Sequence, residues 1–171
     1  PCMQHIPGVD MSSGSLGQGL SVAVGMALNA KLDNADYRVY AICGDGEIQE
    51  GQIWEAAMFA STKKLDNLVL IVDNNNLQID GEITFSSSPY PIDEKFAAFG
   101  FHVINIDGHD FDQIAAAFKE AREVKGKPVA IVAKTVKGKG VSYMENNYAW
   151  HGAAPKQEEY NIAMEDLKEV G

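Results

Sequence analysis

Two short apolar runs with a helical pattern between them determine the fold class that we predict for this chain. Residues 39–43 and 68–72 are rich in Val, Ile and Leu, and such runs are typical of parallel strands that are buried on both faces. Residues 49–63, between them, have a pattern that predicts a helix. The three segments therefore indicate a β-α-β unit, in which the two strands end at the same edge of the sheet.

The alternation of strands and helices continues along the rest of the chain. A helix with small and apolar residues is predicted over residues 15–31, and a loop rich in Ser and Pro over residues 84–91. The other predicted elements are, in order, a helix, a strand, a helix, a strand and a charged helix, over residues 92–99, 101–106, 110–124, 128–134 and 156–170. This alternation favours a three-layer α/β fold, with a mostly parallel sheet and helices on both of its faces. The length of 171 residues suits a single domain.

Composition and charge argue against several classes of partner. The chain has 24 acidic and 14 basic residues, and its formal net charge of −10 disfavours nucleic acid or an anionic membrane as the main partner. No apolar run reaches the length of a membrane span and the first residues do not resemble an export signal, so we expect a cytoplasmic protein. Cys2 and Cys43 are too few for a disulfide framework, and Cys43 is expected to be a reduced core residue.

Polar residues follow each of the first two apolar runs, at the point where each predicted strand ends. Gly44, Asp45 and Gly46 follow the first run, and Asn75 lies about 30 residues after Asp45. Glycines lack the Cβ atom that would keep backbone amides away from a phosphate oxygen. Asp45 and Asn75 offer carboxylate and amide oxygens, which are ligands for Mg²⁺ and Ca²⁺. An ordinary strand-to-helix turn would use the same Gly-Asp-Gly sequence, but the spacing favours a metal-diphosphate site.

Other polar residues near these strand ends have plain structural explanations. Asn74 and Asn76 are interpreted as turn formers, because Asn is common in turns for backbone reasons. Lys134, Lys137 and Lys139 could attract phosphate, but a solvated loop after a strand explains them equally well.

The segment over residues 45–81 closely resembles the thiamine-diphosphate motif of transketolases. In that motif Gly-Asp-Gly is followed about 30 residues later by Asn-Asn or Asp-Asn, as it is here. The sequences QEG and WEA after the first element are similar to transketolases rather than to deoxyxylulose-phosphate synthase or the 2-oxo acid dehydrogenases. The segments PGVDMSSGSLGQGLSVAVGMA and WHGAAP also resemble this family, so the resemblance covers nearly the whole chain.

This resemblance implies roles for individual residues around a bound thiamine diphosphate. Asp45, Asn75 and the main-chain oxygen of Leu77 would bind the divalent ion that bridges the diphosphate, with Mg²⁺ expected and Ca²⁺ as the alternative. The amide of Gly46 would contact the diphosphate directly. His151 would lie between the diphosphate and the substrate, where it could donate a hydrogen bond or transfer a proton.

The other residues of the predicted cofactor site come from three segments. Gly14 and Leu16 match family positions that touch the aminopyrimidine or the thiazolium, although a helix-entry loop would also use Gly and a buried Leu. Ile79 would pack near the thiazolium. Gly44 and Glu47, which flank the central Asp-Gly pair, are included in the predicted cofactor-binding set.

Glu50 and Glu55 have two interpretations. As acidic residues near the start of a helix they could favour the positive end of its dipole, by about 0.3–1 kcal/mol each when exposed. They also match transketolase glutamates at the subunit interface, and the resemblance implies this role. His5 precedes the IPGVD segment at a spacing where transketolases vary, so we do not include it in the site.

The resemblance also implies a reaction and a partner. A transketolase transfers a two-carbon ketol unit from a ketose phosphate to an aldose phosphate. In this family the glutamate that activates the cofactor lies in a pyrimidine-binding domain, which we do not expect within these 171 residues. We therefore expect a domain truncated at its N-terminus that is inactive alone and combines with a pyrimidine-binding C-terminal domain or subunit, in a homodimer or a heterotetramer. The alternatives are a subunit of another thiamine-diphosphate enzyme, such as a 2-oxo acid dehydrogenase, and a non-catalytic cofactor-binding or assembly module.

Overall fold

Strands and helices alternate along the chain in this computed structural model, which describes residues 2–168. The α-helices are α1 (Gln18–Leu32), α2 (Gly51–Thr62), α3 (Ile83–Ser86), α4 (Ile92–Ala98), α5 (Phe111–Glu123) and α6 (Gln157–Asp166). The strands are β1 (Val39–Gly44), β2 (Leu68–Asn74), β3 (Leu77–Gln78), β4 (Gly81–Glu82), β5 (His102–Asp107) and β6 (Val129–Lys134). Short 3₁₀ turns lie at Glu47–Gln49 and Tyr148–His151.

Four of the strands form a parallel sheet in the order β1-β2-β6-β5. Gly44 of β1 is paired with Asp73 of β2, and Asn74 of β2 is paired with Lys134 of β6. The carboxyl ends of these strands therefore lie side by side at one edge of the sheet. This confirms the predicted α/β fold and its β-α-β unit.

Helices cover both faces of the sheet. On one face, Leu70 belongs to a core cluster with residues of α1, α2 and α4. On the other face, Val69 and Ile131 pack in a second cluster with Ala117 and Ala121 of α5. Neighbouring residues of β2 point to opposite faces, so a continuous apolar run is needed to bury both of them.

The predicted core cysteine is buried in β1. Cys43 is 2% exposed and belongs to the cluster under α1 and α2. Burial, with the Glu47 carboxylate nearby, raises the pKa of its thiol to about 12. Such a thiol stays protonated and unreactive at neutral pH. This confirms its expected place in the core.

Some predicted boundaries differ from the structure for local reasons. The helix predicted over residues 15–31 begins only at Gln18, because Gly17 has a left-handed backbone with φ of +82°. The helix predicted over residues 49–63 begins at Gly51, because Glu50 is extended with ψ of 131° after a 3₁₀ turn. The predicted loop over residues 84–91 is wrong in its first three residues, which belong to α3.

For most of the later elements, the predicted first and last residues lie within one or two residues of the observed ones. The last helix is shorter than predicted, because α6 ends at Asp166, and residues 169 and 170 of that prediction lie outside the described residues. The antiparallel pair β3-β4 was not predicted, since two-residue strands show no periodic pattern. Over residues 2–168, no helix has both the length and the apolar character that crossing a membrane requires.

Candidate functional site

The carboxylate of Asp45 is buried at the end of β1 and contacts the loop that follows β2. Its side chain accepts hydrogen bonds from the backbone N–H groups of Gly46, at 2.9 Å, and of Asn76. Asp45 is 1% exposed. Asn75 lies in the same loop, and its Oδ1 accepts the N–H of Leu77 at 3.0 Å. The structure therefore brings the Gly-Asp-Gly turn and the Asn triplet together, as the strand ends require.

Burial makes the charge of Asp45 unfavourable. It raises the pKa of Asp45 above its usual value, and the nearby Asp73 carboxylate contributes to the rise, whereas the amides of Asn76 and Gly46 act in the opposite direction. A buried carboxylate beside a second carboxylate gains most from a bound cation. The electrostatics of this strand edge therefore fit a divalent ion.

The oxygen donors around Asp45 also fit such an ion. No cluster of three or more His, Cys, Asp or Glu side chains suited to a metal occurs within residues 2–168. The donor set that the resemblance implies for this edge is instead of mixed type, namely the Asp45 carboxylate, the Asn75 amide oxygen and the main-chain oxygen of Leu77. Mg²⁺ is commonly held by one or two carboxylates together with waters and phosphate oxygens. A site with a single buried carboxylate is thus suited to a metal that is shared with a phosphorylated ligand.

The Asn triplet is fixed by its own backbone and by neighbouring side chains. Asn76 has a left-handed backbone with φ of +65°, which agrees with its interpretation as a turn former. Asn74 accepts the Tyr90 hydroxyl at 2.7 Å. The Asp73 carboxylate accepts the hydroxyl of Thr135 and the side-chain N–H of Asn75, the latter at 3.3 Å. The loop is therefore held from both sides before any ligand binds.

Two of these contacts were missed by the sequence analysis. Asp73 directly precedes the Asn triplet, so its position at the end of an apolar run was a usable signal. Tyr90 lies 16 residues after Asn74 and follows a loop, and nothing in the sequence links the two. Burial and the nearby Asp45 carboxylate raise the pKa of Tyr90, so its hydroxyl remains a donor at neutral pH.

The glycine turn packs closely against the β3-β4 pair. A Cβ atom on Gly46 would lie 3.2 Å from the Cβ of Gln78, so a side chain at this position would require Gln78 to shift slightly. A Cβ atom on Gly44 would meet nothing within 4 Å. The N–H of Gly46 donates to Asp45, and the N–H of Gly44 donates to Glu47 Oε2 at 3.2 Å.

The loop before α1 reaches the same turn through Glu47. Its Oε1 accepts the N–H of Gly17 at 3.0 Å, across 30 residues of sequence. Gly14 and Leu16, predicted to touch the cofactor, lie in this loop, and Leu16 is 61% exposed. The alternative of a buried packing leucine is therefore wrong. Ile79, also predicted to face the cofactor, is 66% exposed between β3 and β4.

His151 lies in the 3₁₀ turn Tyr148–His151, which rests against β3. Its Nδ1 atom is 3.4 Å from the Nζ atom of Lys137. Of the three lysines left open by the sequence, Lys137 is thus the one next to a predicted site residue. Lys139 forms an ion pair with Glu145 at 3.5 Å, and Lys134 is exposed at the end of β6.

Both residues of the acidic pair are exposed, one just before α2 and one within it. Glu50 is the N-cap residue of this helix but makes no capping hydrogen bond through its side chain, and Glu55 is also exposed. Met58 and Phe59 of the same helix are 53% and 43% exposed. His5, which was not assigned to the site, lies in an exposed turn.

Known proteins share both the sequence and the fold of this chain. It is 45% identical over 169 residues to the 6-deoxy-6-sulfo-D-fructose transketolase subunit SqwG of Clostridium sp. strain MSTE9, which covers 99% of this chain and 62% of that protein. It is 43% identical over 165 residues to an apulose-4-phosphate transketolase subunit of Phocaeicola vulgatus, which covers 96% of this chain and 59% of that protein. The crystal structure of transketolase from Campylobacter jejuni superposes with a TM-score of 0.88 and 38% identity, over 94% of this chain and 26% of that one.

The match to the family is nearly complete along this chain, although the relatives themselves are longer. The chain spans about three fifths of the length of the two subunits named above. The family described as "Transketolase, thiamine diphosphate binding domain" matches residues 1–168. The chain therefore belongs to the transketolase family and corresponds to its thiamine diphosphate binding domain.

Proposed function

We propose that this chain binds the diphosphate of thiamine diphosphate through a divalent ion, Mg²⁺ or Ca²⁺, at the carboxyl ends of β1 and β2. Asp45 and Asn75 would contribute side-chain oxygens, and Leu77 would contribute its main-chain oxygen. The observation that carries this proposal is the buried Asp45 carboxylate beside the Asn triplet, in a chain of the transketolase family. A cation there would offset the cost of burying that charge.

Exposed apolar residues around this edge support a place for the rest of the cofactor. Leu16 and Ile79 are each more than half exposed, which is unfavourable for apolar side chains unless a ligand or a partner covers them. We assign the thiazolium and aminopyrimidine to this side of the site, with Gly14 in the same loop. Gly44, Gly46 and Glu47 would form the turn below the diphosphate. Thiamine diphosphate, when bound, supplies the carbon nucleophile of ketol transfer.

His151 is proposed as the catalytic residue of this chain. It would donate a hydrogen bond, or transfer a proton, between the diphosphate and the substrate. Its turn rests against β3, the strand that contains Leu77, and Lys137 is 3.4 Å away. The ammonium group of Lys137 would attract the anionic diphosphate.

The complete reaction would transfer a two-carbon ketol unit from a ketose phosphate to an aldose phosphate. Two relatives named as transketolase subunits support a partner subunit, which would contribute the pyrimidine-binding domain. Glu50 and Glu55 would lie at the interface, in a homodimer or a heterotetramer. Met58 and Phe59, which are also exposed in α2, support this assignment. Covering exposed apolar side chains with a partner lowers the free energy of the assembly. We expect no ketol transfer by this chain alone.

Calorimetry with thiamine diphosphate tests the proposal directly. The purified chain is titrated first with Mg²⁺ present and then with excess chelator, and the titration is repeated with Ca²⁺. We expect binding with either ion and none with the chelator. Binding that is equally strong in the chelator would contradict the metal site. Ketol transfer from a ketose phosphate is then measured after a transketolase subunit that contains the pyrimidine-binding domain is added. If the cofactor is bound but no activity appears, the result would support a non-catalytic binding module instead.

A further inference from the structure

We infer that Glu47 is a positioning residue, which holds the loop around Leu16 against the Asp45 turn and does not itself bind the cofactor. The inference rests on the cofactor site proposed above, but the contacts that carry it belong to the chain alone. It revises the sequence-based assignment of Glu47 to the cofactor-binding set. It also accounts for a carboxylate placed beside a site for an anionic ligand.

The two oxygens of the Glu47 carboxylate bind two separate segments. Oε1 accepts the N–H of Gly17 at 3.0 Å, and Oε2 accepts the N–H of Gly44 at 3.2 Å. The first N–H belongs to the peptide bond that follows Leu16. The second lies one residue before Asp45. One side chain therefore joins a peptide group next to Leu16, a predicted cofactor contact, to a peptide group one residue before Asp45, a predicted metal ligand.

The hydrogen bond from the Gly17 N–H to Glu47 lies where an exposed loop meets the body of the domain. Residues 11–16 are exposed, whereas Gly17 is buried. A Cβ atom on Gly17 would lie 2.9 Å from the Cβ of Glu50, so the backbone passes close to the start of α2 here. Without the bond to Glu47, the N–H of Gly17 would be a buried donor without its acceptor, which is costly. The loop is therefore fixed at its last residue by Glu47.

Charge argues against a direct role for Glu47 at the diphosphate. A free carboxylate beside a diphosphate would repel it. Here both carboxylate oxygens are already used by backbone N–H groups, which also stabilise the negative charge. Glu47 therefore acts on the cofactor through the two segments that it connects.

Glu47→Gln tests this role with little change in size. A glutamine offers one oxygen acceptor, so it can accept from only one of the two N–H groups, and its NH₂ group faces the other. Glu123→Gln, on the exposed end of α5, is the control with the same change in charge. Glu47→Asp is a second variant, which keeps the charge but is too short to reach both segments. Circular dichroism establishes that each variant is folded.

Two measurements are made on the full chain. Hydrogen exchange followed by mass spectrometry reports the N–H groups of Gly17 and Gly44 without any ligand. We expect faster exchange in peptides that contain them for both Glu47 variants, and no change for Glu123→Gln. Calorimetry with Mg²⁺ then compares thiamine diphosphate with inorganic pyrophosphate. We expect Glu47→Gln to weaken the binding of thiamine diphosphate about tenfold or more and that of pyrophosphate clearly less, because pyrophosphate lacks the rings that the proposed site places beside Leu16.

Each outcome decides the inference. Faster exchange with a selective loss of thiamine diphosphate supports it. If exchange is unchanged and the affinities for both ligands fall equally, Glu47 is a direct contact of the metal or diphosphate, and the inference is overturned. Unchanged exchange with unchanged affinities would also overturn it. If the wild-type chain binds neither ligand, the proposed cofactor site fails for the chain alone. Hydrogen exchange then decides the role of Glu47 by itself.

Discussion

Replacement of Gly17 by alanine should destabilise the domain by a predictable amount. Gly17 has φ of +82°, and left-handed backbone costs roughly 1–2 kcal/mol for a residue with a side chain. The new Cβ would also lie 2.9 Å from the Cβ of Glu50, a contact that must be relieved by movement. We therefore expect Gly17→Ala to lower the free energy of unfolding by about 2–3 kcal/mol.

A glycine inside α1, the helix that follows Gly17, provides the matched control. Gly25 lies inside α1 and is exposed, and a Cβ atom there would meet nothing within 4 Å. Alanine is the better helix former by about 0.8–1.0 kcal/mol. Gly25→Ala should therefore raise the free energy of unfolding by about 0.5–1 kcal/mol. The same substitution, eight positions apart, is expected to have opposite effects.

Urea denaturation at 25 °C, followed by circular dichroism, measures both effects. A loss of 2 kcal/mol corresponds to a fall of about 4–8 °C in Tm for a domain of this size. The slope of the transition should stay the same, since neither change alters the surface exposed on unfolding. A Gly17→Ala variant as stable as wild type would refute the reasoning, because the loop would then adopt another backbone at no cost. So would two variants that shift in the same direction.

Three further predictions concern single carboxylates. Asp45→Asn should abolish Mg²⁺-dependent binding of thiamine diphosphate in calorimetry while circular dichroism stays native, and unchanged affinity would remove Asp45 from the metal site. Asp110 caps α5 by accepting the N–H groups of Asp112 and Gln113. Asp110→Ala should therefore lower the free energy of unfolding in urea, and no loss would mean that the cap is not needed. Burial raises the pKa of Asp66, but the Gly126 amide and the Lys31 ammonium outweigh it and hold the pKa below its usual value of 3.8. The stabilising effect of the Asp66 carboxylate is therefore present above pH 3.8 and is lost as the pH falls through the lower folded-state pKa. Asp66→Asn should destabilise the protein at pH 7 and have much less effect near pH 2. An equal effect at both pH values would contradict this.

The main elements of the sheet were predictable because burial leaves a local pattern. Residues 39–43 and 68–72 lie within β1 and β2, and parallel strands that are covered on both faces need such apolar runs. The resemblance to transketolases, which the family match confirms, came from motifs of the same segments. The starts of α1 and α2 were less predictable. Each depends on a single backbone angle, at Gly17 and Glu50, which a pattern averaged over a helix does not reveal.

The sequence by itself determined which residues end the two central strands, and so which polar groups meet at the edge of the sheet. Asp45 and the Asn triplet come together because parallel strands end on the same side, a consequence of chain topology alone. The tertiary structure decided how the surrounding side chains connect them. Glu47 bonds to Gly17, Tyr90 to Asn74, and Lys137 approaches His151, over separations of 30, 16 and 14 residues. Such contacts depend on how loops fold back across the sheet, and no periodic pattern in the sequence encodes that path.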